Sequence, residues 1–141
     1  WNDIIDVNLN GVFNCSQAVL PHMIEKKSGK IINISSMWGQ VGASCEVPYS
    51  TAKAGVIGFT KALAKEVGPS GITVNCIAPG LIETGMNQAL SIEDVTALVD
   101  DTPIGRIGNT HDVASAALYL ASDDADFITG QVLGVNGGYV I

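Results

Sequence analysis

The chain has 141 residues, enough for one domain with a real core, and 47% hydrophobic composition excludes a disordered polymer. A net charge of −7 argues against nucleic acid or an anionic membrane surface as the partner, because phosphate binding needs a basic face. No apolar run approaches the length that spans a bilayer, and Cys15, Cys45 and Cys76 show no C-x-x-C spacing, so the expectation is three reduced, mostly buried thiols, no metal site, and a cytoplasmic protein.

From Trp1 to about Lys27 the apolar residues follow a helical period, and Ser28-Gly29 ends the helix. "KIINIS" (Lys30–Ser35) is a short apolar run suited to a strand buried on both faces of a parallel sheet. A loop is expected from Met37 to Val47. Pro48 suits the first turn of a helix that runs to about Val67. That helix is apolar nearly all round, so burial on more than one side is expected, with Gly55 and Gly58 allowing close approach. "ITVNCIA" (Ile72–Ala78) is a second strand, stopped by Pro79-Gly80. Residues 85–107 are less regular, with Ser91 and Asp94 spaced as a capping box for a short helix. Thr110 is the expected cap of a helix to about Ser122. "QVLGV" (Gln131–Val135) is a third strand, closed by "NGG".

Alternating helices and strands predict an α/β fold with a parallel sheet covered by helices. In such sheets ligands bind beyond the carboxyl ends of the strands. Those ends carry Ser35 and Ser36, then Pro79 to Thr84, then Asn136-Gly137-Gly138.

Tyr49 and Lys53 stand at positions i and i+4, on one face of the second long helix. A free phenol ionises near pH ~10 and is a poor base at neutral pH. A cation about 5 Å away, at an effective dielectric of about 20, favours the phenolate by roughly 3 kcal/mol, or about two pKa units. That brings it toward the range of a general acid or base. Taken alone, such a pair is more often an amphipathic tyrosine beside a snorkelling lysine at a helix start. Ser36 sits where a hydroxyl meets a substrate oxygen, or where a turn residue ends a strand. Asn8 falls on the apolar stripe of the first helix, where a buried amide costs free energy unless it is hydrogen-bonded. It reads either as a functional amide or as a satisfied core asparagine beside a helix irregularity at Gly11.

The motifs "VNLNG" (Val7–Gly11), "INISS" (Ile32–Ser36), "YSTAK" (Tyr49–Lys53), "GITVNCIAPGLIET" (Gly71–Thr84), "PIGRIG" (Pro103–Gly108) and "ITGQVLGVNGG" (Ile128–Gly138) follow one another in order along essentially the whole chain. In this the chain resembles the short-chain dehydrogenase/reductase family. The resemblance implies a Rossmann-like, doubly wound parallel sheet and a catalytic tetrad. Tyr49 would be the general acid/base. Lys53 would lower its pKa and bind the nicotinamide ribose, Ser36 would hydrogen-bond the substrate oxygen, and Asn8 would hold a water in a proton relay. Tyr49, Lys53, Pro79, Gly80, Ile82 and Thr84 would meet the nicotinamide end of NADP or NAD. The family's opening strands and its glycine-rich turn, which hold the pyrophosphate, have no counterpart here. Residues 1–141 are therefore expected to be the carboxyl-terminal catalytic portion of a single Rossmann-like domain. The acidic or basic residue that separates NAD from NADP has no counterpart either.

The wording is most similar to bacterial 3-oxoacyl-acyl-carrier-protein reductases, enzymes of fatty acid biosynthesis. The implied reaction is ketone reduction to a secondary alcohol by hydride transfer, on an acyl-carrier-bound or small-molecule ketone. Relatives acting on sugars, steroids or small ketones share the same motifs, and a non-catalytic fragment without a pyrophosphate site is a third reading. Residues 85–107 would form a substrate lid whose apolar residues Met86, Leu90, Ile92, Val95, Leu98 and Val99 suit an apolar arm or a plain surface helix. Docking an acidic carrier would call for a basic patch, and only Arg106 lies in this stretch. The resemblance also implies a homo-oligomer, dimer or tetramer, through the two long helices.

Overall fold

A computed structural model describes residues 1–85 and 91–141; Met86 and Leu90 of the lid pattern lie outside the described residues. The amino-terminal helix is one continuous run in three parts. Helix α1 (Asn2–Ile5) passes into a π-helical turn at Asp6–Asn10 and on into α2 (Gly11–Lys26). The expected irregularity beside Gly11 is this widened turn, and Asn8 lies inside it. Lys27 takes a left-handed φ of 52°, and the N–H groups of Lys27 and Ser28 turn back to the carbonyls of Ile24 and Met23. This closes the helix as a Schellman motif does.

Strand β1 (Gly29–Ile34) starts one residue earlier than expected and leaves Ser35 just beyond its end. The expected loop after it contains a short helix, α3 (Met37–Val41). Five residues are too few to show a helical period, so only its cap, Ser36, could have marked it. Helix α4 (Val47–Val67) has Pro48 in its first turn, as anticipated. A 3-10 turn at Gly68–Ser70 leads to β2 (Ile72–Pro79). Helix α5 (Ile92–Asp100) carries the expected reciprocal cap between Ser91 and Asp94. Helix α6 (Thr110–Ala121) is capped by Asn109 rather than Thr110, because Asp112 returns a bond to the Asn109 N–H three residues back. A second 3-10 turn, Asp123–Ala125, precedes β3 (Val132–Val135).

The sheet order is β1-β2-β3 and every pairing is parallel. Gly29–Ile34 runs beside Ile72–Ile77, and Cys76–Pro79 runs beside Val132–Val135. Alternation along β2 divides the core. Ile72 and Val74 pack with Leu63, Ala64 and Val67 of α4, while Ile77 packs on the other face with Leu120 of α6 and Ala125. Both faces are covered, as parallel sheets require. Each fully buried Val or Ile contributes about 1.5–3 kcal/mol.

Polar groups inside this core are tied to specific partners. Asn33 Nδ2 donates to Thr60 Oγ1 at 2.9 Å, joining β1 to α4. Asn75 Nδ2 donates to the Ile128 carbonyl at 2.8 Å and its Oδ1 accepts from the Gln131 N–H, which fixes the approach to β3. Among the described residues no buried side-chain nitrogen or oxygen lacks a partner.

Of two expectations about burial, that for the thiols is corrected, and the second buried side of α4, expected against a partner subunit, is not reached within this chain. Helix α4 buries a single stripe, Ala52, Val56, Thr60, Leu63, Ala64 and Val67, while Ala54, Gly58 and Ala62 on the opposite side are exposed. A Cβ on Gly55 would come within 2.9 Å of Leu9, whereas one on Gly58 would meet nothing within 4 Å. Only Cys76 of the three thiols is buried, since Cys15 and Cys45 lie on exposed helix and loop positions.

Gly71 is demanded twice. Its φ is +72°, and a Cβ there would stand 2.6 Å from the Lys27 carbonyl oxygen. Left-handed backbone alone costs a non-glycine residue roughly 1–2 kcal/mol, so Gly71→Ala is expected to destabilise the protein by at least about that much, read from urea denaturation midpoints at unchanged m-value.

Candidate active site

The side-chain alternation that builds the core also delivers the site. On β1 the residues facing α4 continue past the strand end from Ile31 and Asn33 to Ser35. Ser35 is 3% exposed, and its Oγ donates to the backbone carbonyl of Lys53 at 2.8 Å. Its own N–H donates to the Ile77 carbonyl, holding it to β2. The Lys53 ammonium reaches back to the same strand end and donates to the Ile34 carbonyl at 3.1 Å. Ser36, 8% exposed, follows in extended backbone and accepts from the Trp38 N–H, which starts α3.

Tyr49 and Lys53 share a face of α4, as their spacing requires, with the ammonium 5.5 Å from the centre of the phenol ring. Burial pulls the Lys53 ammonium below the usual lysine pKa, and the charge interaction with Cys76 acts in the opposite direction. Burial pushes the Cys76 thiol up. Hydrogen bonds with the Ser35 backbone and the Thr60 hydroxyl oppose that rise, as do the nearby Lys53 charge and the Ser35 side chain. A neutral thiol therefore underlies the lysine.

Asn8 is half-buried, not buried as its place on the apolar stripe suggested. Its Nδ2 donates to the Ile4 carbonyl of the preceding turn at 3.1 Å. The π-helical turn nonetheless lies against α4 through its next residue, Leu9, whose side chain fills the space over Gly55.

The other strand ends meet beside this group. The Gly80 N–H donates to the Val135 carbonyl, and a Cβ on Gly80 would stand 2.8 Å from the Cα of Asn136. Asn136 is buried. Its Oδ1 accepts from the Gly138 N–H and its Nδ2 donates to the Val140 carbonyl, so the chain end folds back. Tyr139 then packs edge-on against Trp38, ring centres 5.5 Å apart. Ile82 bridges to Gly108 on the far side of this segment, and Thr84 is exposed.

A cavity of about 330 Å³ lies at the end of β3, lined by Ile82, Arg106, Asp112 and Asn136 among others. It takes in one of the residues expected to meet a cofactor, Ile82, and none of Asn8, Ser36, Tyr49 or Lys53. The structure thus brings Ser36, Tyr49 and Lys53 to one strand end, keeps Asn8 within the helix packed on α4, and leaves Ile82 and Thr84 a segment away. Sequence reasoning placed Ser35 at a strand end without giving it a role, and missed Gly39. A Cβ on Gly39 would lie 2.6 Å from Ser35 Oγ and 2.7 Å from the Lys53 backbone, so only hydrogen fits between α3 and α4. The period-2 continuation from Ile31 and Asn33 to Ser35 was the available signal for the first.

As a receptor for a nicotinamide ribose these residues fit in part. A half-buried ammonium stands at a strand's carboxyl end, whereas the side-chain direction of Gly80 is taken up by Asn136. The chain contains no glycine-rich turn for a pyrophosphate.

A family model described as enoyl-(acyl carrier protein) reductase matches residues 1–140. The 3-oxoacyl-[acyl-carrier-protein] reductase of Salmonella typhimurium is 50% identical over 138 residues, covering 98% of this chain and 57% of that protein. A (2S)-[(R)-hydroxy(phenyl)methyl]succinyl-CoA dehydrogenase subunit of Thauera aromatica is 52% identical over 139 residues, covering 98% of this chain and 55% of that protein. The crystal structure of a 3-oxoacyl-[acyl-carrier protein] reductase from Brucella melitensis superposes with a TM-score of 0.95 at 41% identity, covering all of this chain and 53% of its own. The chain spans a little over half the length of these relatives.

Arg106 is committed beside the cavity. Its guanidinium donates twice to Asp112, at 2.8 and 3.1 Å. That bond, then the Asn109 N–H and the charges of Arg106 and His111, hold the Asp112 carboxyl down from the ordinary 3.8 to about 2 against the opposing effect of desolvation. The folded value lies below the unfolded one, so this stabilisation is complete above the unfolded pKa and fades as pH falls toward the folded one. Asp112→Asn is expected to flatten the acid limb of thermal stability across that interval while leaving the neutral-pH melting temperature lowered. An acid limb identical to that of the unaltered protein would show that the Arg106 pair is not the source.

Proposed function

The chain belongs to the short-chain dehydrogenase/reductase family, and from that premise we propose that residues 1–141 correspond to the carboxyl-terminal catalytic portion of a single Rossmann-like domain in an NAD(P)-dependent oxidoreductase. The single observation that carries the reading is the junction at the end of β1. There the Lys53 backbone is tied to Ser35 and its ammonium to the Ile34 carbonyl, with Ser36 next along the chain and the Tyr49 ring centre 5.5 Å from the ammonium.

In this reading Tyr49 passes the proton. In ketone reduction the substrate oxygen would take the phenol proton while its carbon accepts a hydride, giving a secondary alcohol. Bound dinucleotide supplies that hydride, and NADP is favoured over NAD by similarity to acyl-carrier-protein reductases. Ser36 holds the substrate oxygen. Lys53 favours the phenolate through its charge and hydrogen-bonds the nicotinamide ribose. Asn8 holds a water that returns protons toward Lys53, and widened helical turns are frequent at such functional positions. Pro79, Gly80, Ile82 and Thr84 line the nicotinamide end.

The substrate reading is a 3-oxoacyl group on acyl carrier protein. Support comes from relatives named for a 3-oxoacyl-[acyl-carrier-protein] and for a succinyl-CoA derivative, both acyl thioesters. A sugar, steroid or small ketone is the alternative. Rates with one 3-oxoacyl chain on acyl carrier protein, on coenzyme A and as a free ketone separate these. Helix α5 buries none of its residues in this chain, which leaves its apolar side for a substrate arm. A homo-oligomer is supported by Val7, Phe13 and Val19, exposed on the amino-terminal helix. Among the described residues no helix is long and apolar enough to cross a membrane, and a cytoplasmic location is part of the proposal.

Tyr49→Phe in the enzyme that carries this chain is expected to abolish turnover while leaving dinucleotide binding in place. Retention of more than about a tenth of the activity would sink the assignment, since a positioned proton donor is worth roughly a hundredfold or more. The 141-residue chain alone is expected to bind neither reduced dinucleotide in the low micromolar range, because it lacks the turn that meets the pyrophosphate. Fluorescence titration with each dinucleotide checks this, and a tight complex would place the binding determinants within these residues.

A further inference from the structure

Three consecutive residues at the end of β1 each do a different thing around one lysine. The Ile34 carbonyl accepts from the Lys53 ammonium, the Ser35 hydroxyl donates to the Lys53 carbonyl, and Ser36 caps α3 with the oxygen assigned to substrate. Lys53 is thereby held at both ends of its side chain, backbone and ammonium, by the last residue of β1 and the one that follows it.

We propose that Ser35 is a positioning residue: its hydrogen bond to the Lys53 carbonyl fixes where the Lys53 ammonium stands relative to the Tyr49 phenol and Ser36. The proposal rests on the roles given to Tyr49 and Lys53 above.

Four observations carry it. Ser35 is nearly inaccessible, so water does not compete for the bond. The contact is sealed by Gly39, where a Cβ would collide with both Ser35 Oγ and the Lys53 backbone. A second tether on the same faces, Asn33 to Thr60, lies farther down α4, with Thr60 Oγ1 donating to the Val56 carbonyl. Two fixed points on one helix set its rotation about its own axis, and that rotation decides where the side chain at position 53 reaches. Finally, Lys53 lies inside α4, where its carbonyl also serves the helical ladder. Removing the serine hydroxyl therefore leaves no buried acceptor stranded. Its loss falls on orientation more than on folding. Among the described residues, the titratable groups facing the ammonium are Tyr49 on its own helix and the Cys76 thiol on β2.

The test uses Ser35→Ala and Ser35→Cys in the enzyme that carries this chain, the second keeping side-chain volume while offering only a weak donor. The expected result is a kcat lower by roughly tenfold to a hundredfold, the scale of a small misplacement of catalytic groups. KM for the ketone should be little changed. The pH at which the oxidation direction becomes active should rise, because a displaced ammonium favours the phenolate less. Melting temperatures should move little. Wild-type kcat and an unmoved pH profile in both variants, with Tyr49→Phe inactive in the same assay, would overturn the positioning role and leave the site reading intact. An active Tyr49→Phe would instead remove the reading on which the proposal stands. Loss of the folded state in both serine variants would also overturn it, because the hydroxyl would then be holding the fold.

Discussion

Helix α4 lies close against its neighbours at two points, and at one of them, Gly39, hydrogen is the largest group that fits. Leu9 fills the space over Gly55 on one side, and Gly39 is pressed onto the Lys53 backbone on the other. Between them Ser35 Oγ bonds the Lys53 carbonyl. Protein interiors are packed too densely to absorb a shift of even one methylene without adjustment. The angle of α4 on the sheet, the approach of the amino-terminal helix and the start of α3 are therefore one constraint seen from three directions. The site is built at the point where they meet.

The same closeness sets the electrostatics. Withdrawing an ammonium from water is costly unless it is hydrogen-bonded. The carboxyl end of a parallel strand offers a carbonyl with no further ladder partner on this side, and Lys53 takes the one at Ile34. Burial pushes the Cys76 thiol beneath it up, against the opposing effect of the Lys53 charge. The Tyr49 ring stands on the same helix face, its centre 5.5 Å from the ammonium.

The polar residues within the core serve this geometry as well as stability. Asn33 and Thr60 fix α4 to β1, Asn75 fixes the segment before β3, and Asn136 folds the chain end back over Gly80 so that Tyr139 reaches Trp38. Each buried amide meets its partners, which is the condition under which such groups specify one arrangement instead of weakening it. The sheet itself has two edge strands, β1 and β3. Relatives with the same fold are nearly twice as long.

Much of this was legible without coordinates. The 3.6-residue period marked both long helices, β-branched runs marked the strands, and Ser91-x-x-Asp94 marked α5, because each is a local pattern with a local cause. The i, i+4 spacing alone placed Tyr49 and Lys53 on one face. What failed was what depends on neighbours. The burial of Asn8 and of two cysteines and the cap of α6 were misjudged from composition or from one residue in isolation, and α3 was too short to announce itself. The sequence by itself determined which residue types stand at the strand ends and which share a helix face. Tertiary structure alone decided that Ser35 and the Ile34 carbonyl grip Lys53, and that Gly39 must be glycine. Those contacts join segments distant along the chain, and only packing sets how near such segments come.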